Sequence, residues 1–591
     1  MTEQPDAADQ ESVISRQSFA SAVTARVAIV LVAVVPLLPT MRAAFVYDDT
    51  SVIRDNAVLR GWSALWRVWS EPYWPSEGIN SLGLYRPMQL ALLAAVWNLG
   101  GGSPRWFHAY ALSLGMLVVL AVWWLLRRAT AVGAAVVGAA WFATHPLHVE
   151  ATASVANTSE LVVVLATIGM IRVLWSSSAA VRGWARPAAF GMLAAAALAT
   201  KESGLLAVPV AAVTAWGWAP ESRSAARETI GQFLRRHERE WLVALVSVVA
   251  IVLARLVVLG APVAHASIAA QGLSGLSAAQ RVIAMMSLWP RILDMLVWPT
   301  LLAPYYGPTI LPTNGAAIAA LSLLVATGLA GLAVVIAKRG DRRPIVALGW
   351  IAMTYLPASN LLTATGQLLS DRTLFGATVG VALLLAWVLD RLPLFARRTA
   401  MILCVVVVAR DAIVETHYAV AWTSHRALWE RLADVSPNEH MSYKLLGMDA
   451  RARGDTAHAV ALLERALTMA PTDRQIRFEL GQAYYRVGRY LPAARTLAPL
   501  MRDGDARAEP GFAALYFDAV GRAGGPAAVV GATAPYLHSE TAAVAALFGG
   551  VAKEQLGDRA GADSLFTLGL RRSPGNSTLL ARRAALRTGR Q

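Results

Sequence analysis

The chain has 591 residues, of which 56% are hydrophobic and only 15% charged, whereas soluble domains carry about 25% charged residues. This composition excludes an ordinary soluble protein and indicates that most of the chain lies in a lipid bilayer. The net charge of +15 is explained by basic cytoplasmic loops, so it predicts no nucleic-acid partner. The one cysteine, Cys404, excludes a disulfide framework and a thiol metal site.

The first 420 residues are dominated by apolar stretches long enough to cross a bilayer. Residues 1–21 are polar and predict a disordered cytoplasmic tail. Residues 22–420 predict a polytopic helical membrane domain with about eleven spans. The predicted spans are 22–41, 106–126, 130–147, 158–175, 187–200, 204–219, 240–260, 315–337, 344–363, 373–390 and 399–416. The spans are interrupted by two long loops, 42–105 and 261–313.

Two apolar segments inside these loops are not counted as spans. Residues 86–99 are short and run into three glycines, which predicts an interfacial or re-entrant helix. Residues 281–301 contain Arg291 and Asp294. A span there would move the basic residues after 338 outside, so we favour a helix in the membrane interface and keep a span as the alternative.

Basic residues alternate with the spans and predict the orientation. They are Arg127, Arg128, Arg172, Arg182, Arg186, Arg223, Arg227, Arg235, Arg236, Arg239, Lys338, Arg339, Arg342, Arg343, Arg391, Arg397 and Arg398. Because cytoplasmic loops are enriched in Lys and Arg, this face and the N-terminus are predicted to be cytoplasmic. The other loops and the C-terminal region are then extracytoplasmic.

The C-terminal region, residues 437–580, contains a helical repeat. Gly454, Gly488, Gly521 and Gly557 recur at spacings of 34, 33 and 36 residues. Each precedes a segment rich in small residues, a pattern typical of tetratricopeptide repeats that stack into an α-solenoid. The third repeat, about 509–540, is degenerate. Residues 581–591 form a basic tail.

Two adjacent carboxylates, Asp48 and Asp49, follow directly on the first span. Two like charges at a bilayer surface are costly, which favours a functional role. A carboxylate there could deprotonate a hydroxyl while it faces a lipid-linked substrate. The alternative is that both residues only cap a turn or a helix.

Other polar residues interrupt the apolar pattern on the same predicted face. Arg86, Lys201 and Arg372 lie on the face where the positive-inside rule predicts few basic residues. Their presence there indicates a bound anion such as a lipid phosphate. The alternative is that Lys201-Glu202 and Asp371-Arg372 only make structural ion pairs between helices. Five acidic and histidine residues also interrupt the apolar pattern on this face. They are His145, His148, Glu150, Glu202 and Asp371.

The spacing of His145, His148 and Glu150 differs from the two histidines four apart that zincins use. It favours hydrogen bonding to a sugar or to Asp49, with a metal site as the alternative, so a divalent metal is possible but not expected. The aromatic residues from Trp62 to Trp74 are typical of an interfacial belt, with stacking on a sugar ring as the alternative.

Several motifs in chain order together carry a resemblance. They are Phe45-Val46-Tyr47-Asp48-Asp49 with Asn56, Tyr85-Arg86-Pro87, Trp106-Phe107-His108, the run from Phe142 to Glu150, Thr200-Lys201-Glu202-Ser203-Gly204, and the run from Leu356 to Leu362 with Asp371-Arg372. With the repeats, the chain resembles the transmembrane and tetratricopeptide-repeat-containing family of protein O-mannosyltransferases. That family belongs to the C-type superfamily of membrane glycosyltransferases. The high Ala, Arg and Gly content is typical of a bacterial member, which would place the chain in an inner membrane with periplasmic repeats.

The resemblance implies a reaction and a role for each residue. A sugar, mannose by analogy, would move from a polyprenyl-phosphate donor to a Ser or Thr hydroxyl of an exported protein, with inversion and with no cofactor. Asp48 would be the base and Asp49 would order the loop, although the sequence leaves these two roles exchangeable. Arg86, Lys201 and Arg372 would bind the donor phosphate. His145, His148, Glu150, Glu202 and Asp371 would bind the sugar.

Two other functions fit parts of the pattern. A membrane-anchored scaffold would need only the repeats and an anchor, and about eleven spans exceed what an anchor requires. A transporter of lipid-linked glycans would place its charges near the middle of the membrane and show repeated groups of spans. The charges here lie at one rim, which favours the transferase.

Overall fold

The structure is a computed structural model that describes residues 23–74, 83–176, 183–218, 228–260, 270, 272–502 and 510–588. Within these residues the chain is helical and has no β-strand, which confirms the predicted all-α fold. Internal contacts divide the chain into two units, Met1–Arg431 and Leu432–Gln591. The division lies between residue 420, the predicted end of the membrane domain, and residue 437, the predicted start of the repeats. The predicted tail 1–21 lies outside the described residues.

The first unit is built from helices of very different lengths. Its α-helical segments are Ala64–Arg67, Pro87–Gly100, Pro104–Leu126, Val132–Ala143, His148–Ala153, Ser159–Trp175, Ala185–Thr200, Ala207–Gly217, Ile230–Arg236, Glu238–Leu259, Ala278–Ser287, Trp289–Val297, Gly315–Lys338, Arg343–Tyr355, Phe375–Arg391 and Leu394–Ala421. The helix His425–Val435 carries the chain into the second unit.

Six helices in the described part of the chain are long and apolar enough to cross a membrane. They are Val23–Arg42, Pro104–Leu126, Val155–Trp175, Glu238–Leu259, Gly315–Lys338 and Asp371–Arg391. Each coincides with a predicted span, so the first unit is an integral membrane domain. The count of about eleven stays a prediction. The segment predicted as 130–147, for example, is helical only over Val132–Ala143, because Pro146 cannot continue the helix.

The helices differ in how much of their surface the protein itself covers. The most apolar windows of Glu238–Leu259 and Gly315–Lys338 are each only 11% buried. Such a continuous apolar surface is unfavourable in water and is solvated by lipid chains in a bilayer. Val155–Trp175 and Asp371–Arg391 are instead 67% and 61% buried. These two central helices begin at the polar cluster described below.

The segment 281–301 does not form a single helix. It contains parts of two short helices, Ala278–Ser287 and Trp289–Val297, the second with Pro290 in its first turn. Helices of 10 and 9 residues are too short to cross a bilayer. This geometry agrees with the interfacial interpretation and not with the alternative of a span.

The second unit consists of helices in antiparallel pairs. They are His440–Ala452, Thr456–Met469, Arg474–Arg486, Tyr490–Arg502, Pro510–Thr533, Ala542–Gln555, Arg559–Arg572 and Ser577–Thr588. The last of these helices contains residues 581–588 of the predicted basic tail. In three pairs, a glycine of the first helix lies against a side chain of the second helix, sixteen residues later. The pairs are Gly447 with Leu463, Gly481 with Leu497, and Gly550 with Phe566. A Cβ added to the glycine would lie 2.6, 2.5 and 2.4 Å, respectively, from that side chain. The same spacing in three pairs shows that these units are structural repeats.

The glycines that join paired helices confirm the repeat pattern, with one correction. Gly454, Gly488 and Gly557 have φ of +85°, +76° and +83°, a conformation that glycine adopts without steric cost. The prediction for Gly521 is wrong. In the third repeat the break in Pro510–Thr533 lies at Gly525, with φ +74°, where the run Gly524-Gly525-Pro526 provides the turn.

The repeat packing predicts the effect of truncating Leu463, a fully buried residue that contacts Gly447. Leu463→Ala should destabilise the second unit by about 2–5 kcal/mol, because it leaves a cavity between paired helices. Hydrogen exchange of the full chain should show faster exchange across the first two repeats. Leu491→Ala is the control, since Leu491 is 51% exposed; equal effects of both substitutions would contradict the packing.

Candidate active site

The two adjacent aspartates occupy different environments. Asp49 is fully buried. Its carboxylate accepts hydrogen bonds from the hydroxyl of Ser154 (3.2 Å) and from the backbone N–H groups of Val155 (3.1 Å) and Ala156 (2.8 Å). The side chain of Asp48 is 22% exposed. Asp49 therefore fixes the loop to the start of a central helix, and Asp48 is the member of the pair that solvent or a ligand can reach.

Burial raises the pKa of both carboxylates, and neighbouring hydrogen bonds or positive charges oppose this rise. Burial raises the pKa of Asp49 to about 7, although the hydrogen bonds from Ala156, Val155 and Ser154 oppose this rise. Burial also raises the pKa of Asp48, and the positive charges of Arg372, Arg86 and Lys201 each act to lower it. Burial therefore disfavours the charged form of Asp48, and the three cations partly offset this effect.

The residue before the pair has a strained backbone. Tyr47 has φ +55°, a region that costs a non-glycine residue about 1–3 kcal/mol. Its N–H donates to Nε2 of His425 (3.2 Å), and its ring lies edge-on to Trp422 and Trp429, with centroids 6.3 and 5.6 Å away. These contacts and the bonds of Asp49 hold Asp48 from both sides.

The structure brings together the three cations predicted from the sequence. Nη2 of Arg372 lies 3.9 Å from Oδ2 of Asp48. Arg86 and Lys201 are close enough for their charges to lower the pKa of Asp48. They come from the starts of separate helical segments, so distant parts of the sequence converge at this rim.

Each cation also has an acidic partner. Nε and Nη2 of Arg86 donate to Oε2 of Glu202, at 3.0 and 2.6 Å. Lys201 pairs with Glu160, and Arg372 pairs with Glu150 through its backbone N–H (2.9 Å) and its guanidinium. The cations are therefore held in position by hydrogen-bonded ion pairs.

Ion pairs between helices, the alternative considered from the sequence, are present in this cluster. Lys201 pairs with Glu160, and not with the adjacent Glu202. Asp371 accepts hydrogen bonds from the hydroxyls of Tyr306 (2.6 Å) and Tyr418 (2.9 Å), while the neighbouring Arg372 points to Glu150. The ion pairs therefore join separate helices, and Asp371 is hydrogen-bonded to two tyrosines instead.

The two histidines are hydrogen-bonded to other groups of the protein. Both are buried. Nε2 of His145 lies 3.2 Å from the carbonyl oxygen of Leu296, and Nε2 of His148 lies 2.9 Å from the hydroxyl of Thr378. The structure therefore does not bring either histidine to Asp49. In the described part of the chain no group of three or more His, Cys, Asp or Glu residues could hold a metal ion.

Several residues of this cluster were not predicted from the sequence. Glu160 and Arg255 lie in predicted spans and were not assigned a role, yet Glu160 pairs with Lys201 and Arg255 lies 3.5 Å from Glu202. The guanidinium of Arg86 also lies over the ring of Tyr73, 4.9 Å from its centroid. A charged residue inside an apolar helix was the available signal for the first two.

The backbone at Lys201 and Glu202 depends on Gly204. A Cβ at position 204 would lie 2.2 Å from the carbonyl oxygen of Ala197. Gly204→Ala should therefore displace this turn and destabilise the purified chain by about 1–3 kcal/mol in thermal unfolding. Gly115→Ala is the matched control, because nothing lies within 4 Å of that position and alanine favours the helix. Similar losses in both variants would contradict the account of this turn.

Comparison with known proteins identifies the repeats and the relatives of the chain. A tetratricopeptide-repeat model matches residues 450–511, which confirms the predicted repeats. The chain is 32% identical over 185 residues to protein O-mannosyl-transferase Tmtc2 of Drosophila melanogaster, covering 30% of this chain and 20% of that relative. It is 29% identical over 131 residues to TMTC1 of Mus musculus, covering 21% and 14%, and 29% identical over 132 residues to TMTC1 of Homo sapiens, covering 21% and 15%.

The chain thus spans about a fifth or less of the length of these relatives, as the matched shares of 20%, 14% and 15% show. All three carry the name of protein O-mannosyl-transferases. Together with the repeats and the apolar helices, these matches confirm the predicted resemblance to the transmembrane and tetratricopeptide-repeat-containing family of protein O-mannosyltransferases.

Proposed function

We propose that the chain is an integral-membrane glycosyltransferase that moves mannose from a polyprenyl-phosphate donor to Ser or Thr hydroxyls of exported proteins. The observation that carries this proposal is the partly exposed carboxylate of Asp48, with the charges of Arg372, Arg86 and Lys201 around it. Transfer of a sugar to a hydroxyl requires a base for the hydroxyl proton. It also requires cations to stabilise the negative charge of the leaving phosphate. The names of the relatives support the sugar and the class of acceptor.

The donor determines where the reaction takes place. A polyprenyl tail stays in the bilayer, so the phosphate and the anomeric carbon are met at the membrane surface. Asp48 follows directly on Val23–Arg42. Asp371-Arg372 begins the apolar helix Asp371–Arg391, and Lys201 follows the helix Ala185–Thr200. These positions at helix ends suit a substrate whose reactive group lies at the level of the lipid head groups.

The reaction needs one proton transfer and one substitution. The carboxylate of Asp48 accepts the proton of the acceptor hydroxyl as the hydroxyl oxygen forms a bond to the anomeric carbon. The bond from the anomeric carbon to the phosphate oxygen breaks, and its electron pair remains on the lipid phosphate. Attack opposite the leaving group inverts the configuration at the anomeric carbon.

The cations have hydrogen-bond donors to offer the phosphate. An arginine has five N–H donors and a lysine three. Within the described residues, Arg86 uses Nε and Nη2 towards Glu202, and Lys201 donates to Glu160. The remaining N–H groups could bind oxygen atoms of the leaving phosphate without breaking the ion pairs. No metal and no cofactor enters the proposed step.

The other predicted site residues take supporting roles in this proposal. Glu150 and Glu202 position Arg372 and Arg86 through the ion pairs described above. His145, His148 and Asp371 are bonded to groups of the protein, so we now propose that they shape the wall of the site rather than contact the sugar. The repeats would bind the acceptor or a partner protein.

The two aspartates should respond differently to substitution. Asp48→Asn removes the base and should lower mannose transfer about 10²–10⁴-fold in membranes supplied with polyprenyl-phosphate mannose, with unchanged thermal stability. Asp49→Ala leaves three buried hydrogen-bond donors without an acceptor. Because each costs about 1–3 kcal/mol, this variant should lose about 3 kcal/mol or more of stability in addition to activity. The control is Asp55→Asn, in the same loop, whose side chain is 58% exposed. Full activity of Asp48→Asn would rule out its role as the base.

The pH dependence of the reaction should follow the ionisation of Asp48. A base must be deprotonated, so kcat/KM should rise with pH, and the midpoint of this rise should lie above the ordinary pKa of 3.8, because burial raises the pKa of Asp48. Since Lys201 acts to lower that pKa, Lys201→Met should move the midpoint to higher pH.

Lys338→Met is the control for this measurement, because Lys338 ends the helix Gly315–Lys338 on the predicted opposite face. Its profile should match that of the wild type. A midpoint that stays in place in Lys201→Met, or that moves equally in both variants, would contradict the assignment of the base.

A further inference from the structure

A second polar feature lies in a groove between the helices Pro104–Leu126 and Val155–Trp175. The groove has a volume of about 530 Å³. Its walls are Ala121, Trp124, Leu165, Ile168 and Gly169, and its polar groups are the side chains of Arg128 and Arg172. It therefore combines an apolar wall of a membrane domain with two positive charges.

The two arginines are arranged around one aromatic ring. The guanidinium carbon atoms of Arg128 and Arg172 lie 4.8 and 5.8 Å from the centroid of the Trp124 ring. The Trp124 ring in turn contacts Trp175, with centroids 5.7 Å apart. Indole Nε1 of Trp175 donates to the carbonyl oxygen of Ala215 at 2.9 Å. The contact with Trp175 therefore fixes the Trp124 ring, around which the two guanidinium groups lie.

Neither arginine is neutralised within the part of the chain that the structure describes. Both side chains are exposed, and no ion pair of either with a described carboxylate is present. This distinguishes them from Arg86, Lys201 and Arg372, each of which is paired with an acid. Two unneutralised guanidinium groups beside an apolar wall favour an anionic amphiphile as ligand.

The groove lies at the opposite ends of these helices from the candidate active site. Phe107, near the start of Pro104–Leu126, contacts Phe45, and Val155 and Ala156, at the start of Val155–Trp175, bind Asp49. The two helices have 23 and 21 residues, and such a length spans about 30 Å at 1.5 Å per residue. A ligand in the groove therefore occupies the leaflet that does not face Asp48.

We propose that the groove binds one anionic glycerophospholipid. Its phosphate lies between Arg128 and Arg172, and an acyl chain runs along Leu165 and Ile168 towards the middle of the bilayer. A soluble phosphate would satisfy the two cations but would leave the apolar wall uncovered, which is why we assign a lipid. This site is independent of the proposed transferase reaction, because it shares no residue with the candidate active site.

The test titrates the purified full-length chain in detergent with dioleoylphosphatidylglycerol and follows the complex with one lipid by native mass spectrometry. The double variant Arg128→Gln/Arg172→Gln should bind this lipid about 30-fold more weakly, since each basic residue contributes about 1 kcal/mol and 1.4 kcal/mol is tenfold. Leu165→Trp keeps both charges but fills the groove, and it should weaken binding at least about tenfold. Inorganic phosphate at millimolar concentration should not compete.

The matched control is Arg127→Gln/Arg339→Gln, which removes the same charge from exposed residues that do not line the groove. It should bind the lipid as the wild type does, and all three variants should unfold at the wild-type temperature. Wild-type binding by Arg128→Gln/Arg172→Gln or by Leu165→Trp would overturn the proposal. Equal weakening in the control, or competition by phosphate, would also overturn it.

Discussion

The candidate active site depends on the bond network of Asp49. This carboxylate joins the loop after the first membrane helix to Ser154, Val155 and Ala156, which begin a central helix. A buried carboxylate is tolerated because three donors surround it. Its neighbour Asp48 can then stay partly exposed at a fixed position, although Tyr47 must adopt a strained backbone conformation for this.

Ion pairs hold the cations around Asp48 in position. Each of Arg86, Lys201 and Arg372 is anchored by one acid from another segment of the chain. An isolated cation at this depth would be costly, and an ion pair that used all of its donors would leave nothing for a substrate. Pairing one side of each cation fulfils both requirements. In the proposed reaction, these charges would be preorganised for a leaving phosphate.

The sequence predicted the elements of this fold better than the contacts between them. Hydrophobic length located the six long helices, and the glycine spacing located the repeats, because both are local properties. Asp48, Arg86, Lys201 and Arg372 could be selected as polar residues that interrupt an apolar pattern. Their partners could not, since Glu150 and Arg372 are 222 residues apart and no local pattern relates them. Gly521 was misassigned because the pair Gly524-Gly525, which contains the break in the helix, lies just after it.

Two clusters of basic residues at the two rims of the membrane domain differ in their ion pairing. At one rim, cations are paired with acids around Asp48, whereas at the other the unneutralised Arg128 and Arg172 surround Trp124. The positive-inside rule predicts that the second rim is cytoplasmic. The whole account therefore requires the Asp48 loop to lie outside.

Labelling of single cysteines tests this requirement most directly. In a Cys404→Ser background, the exposed positions Ser63 and Arg339 are replaced in turn by cysteine and treated in intact cells with a membrane-impermeant maleimide. We predict that Ser63→Cys is labelled in intact cells and that Arg339→Cys is labelled only after permeabilisation. Labelling of Ser63→Cys only after permeabilisation would place Asp48 on the cytoplasmic side and contradict the account.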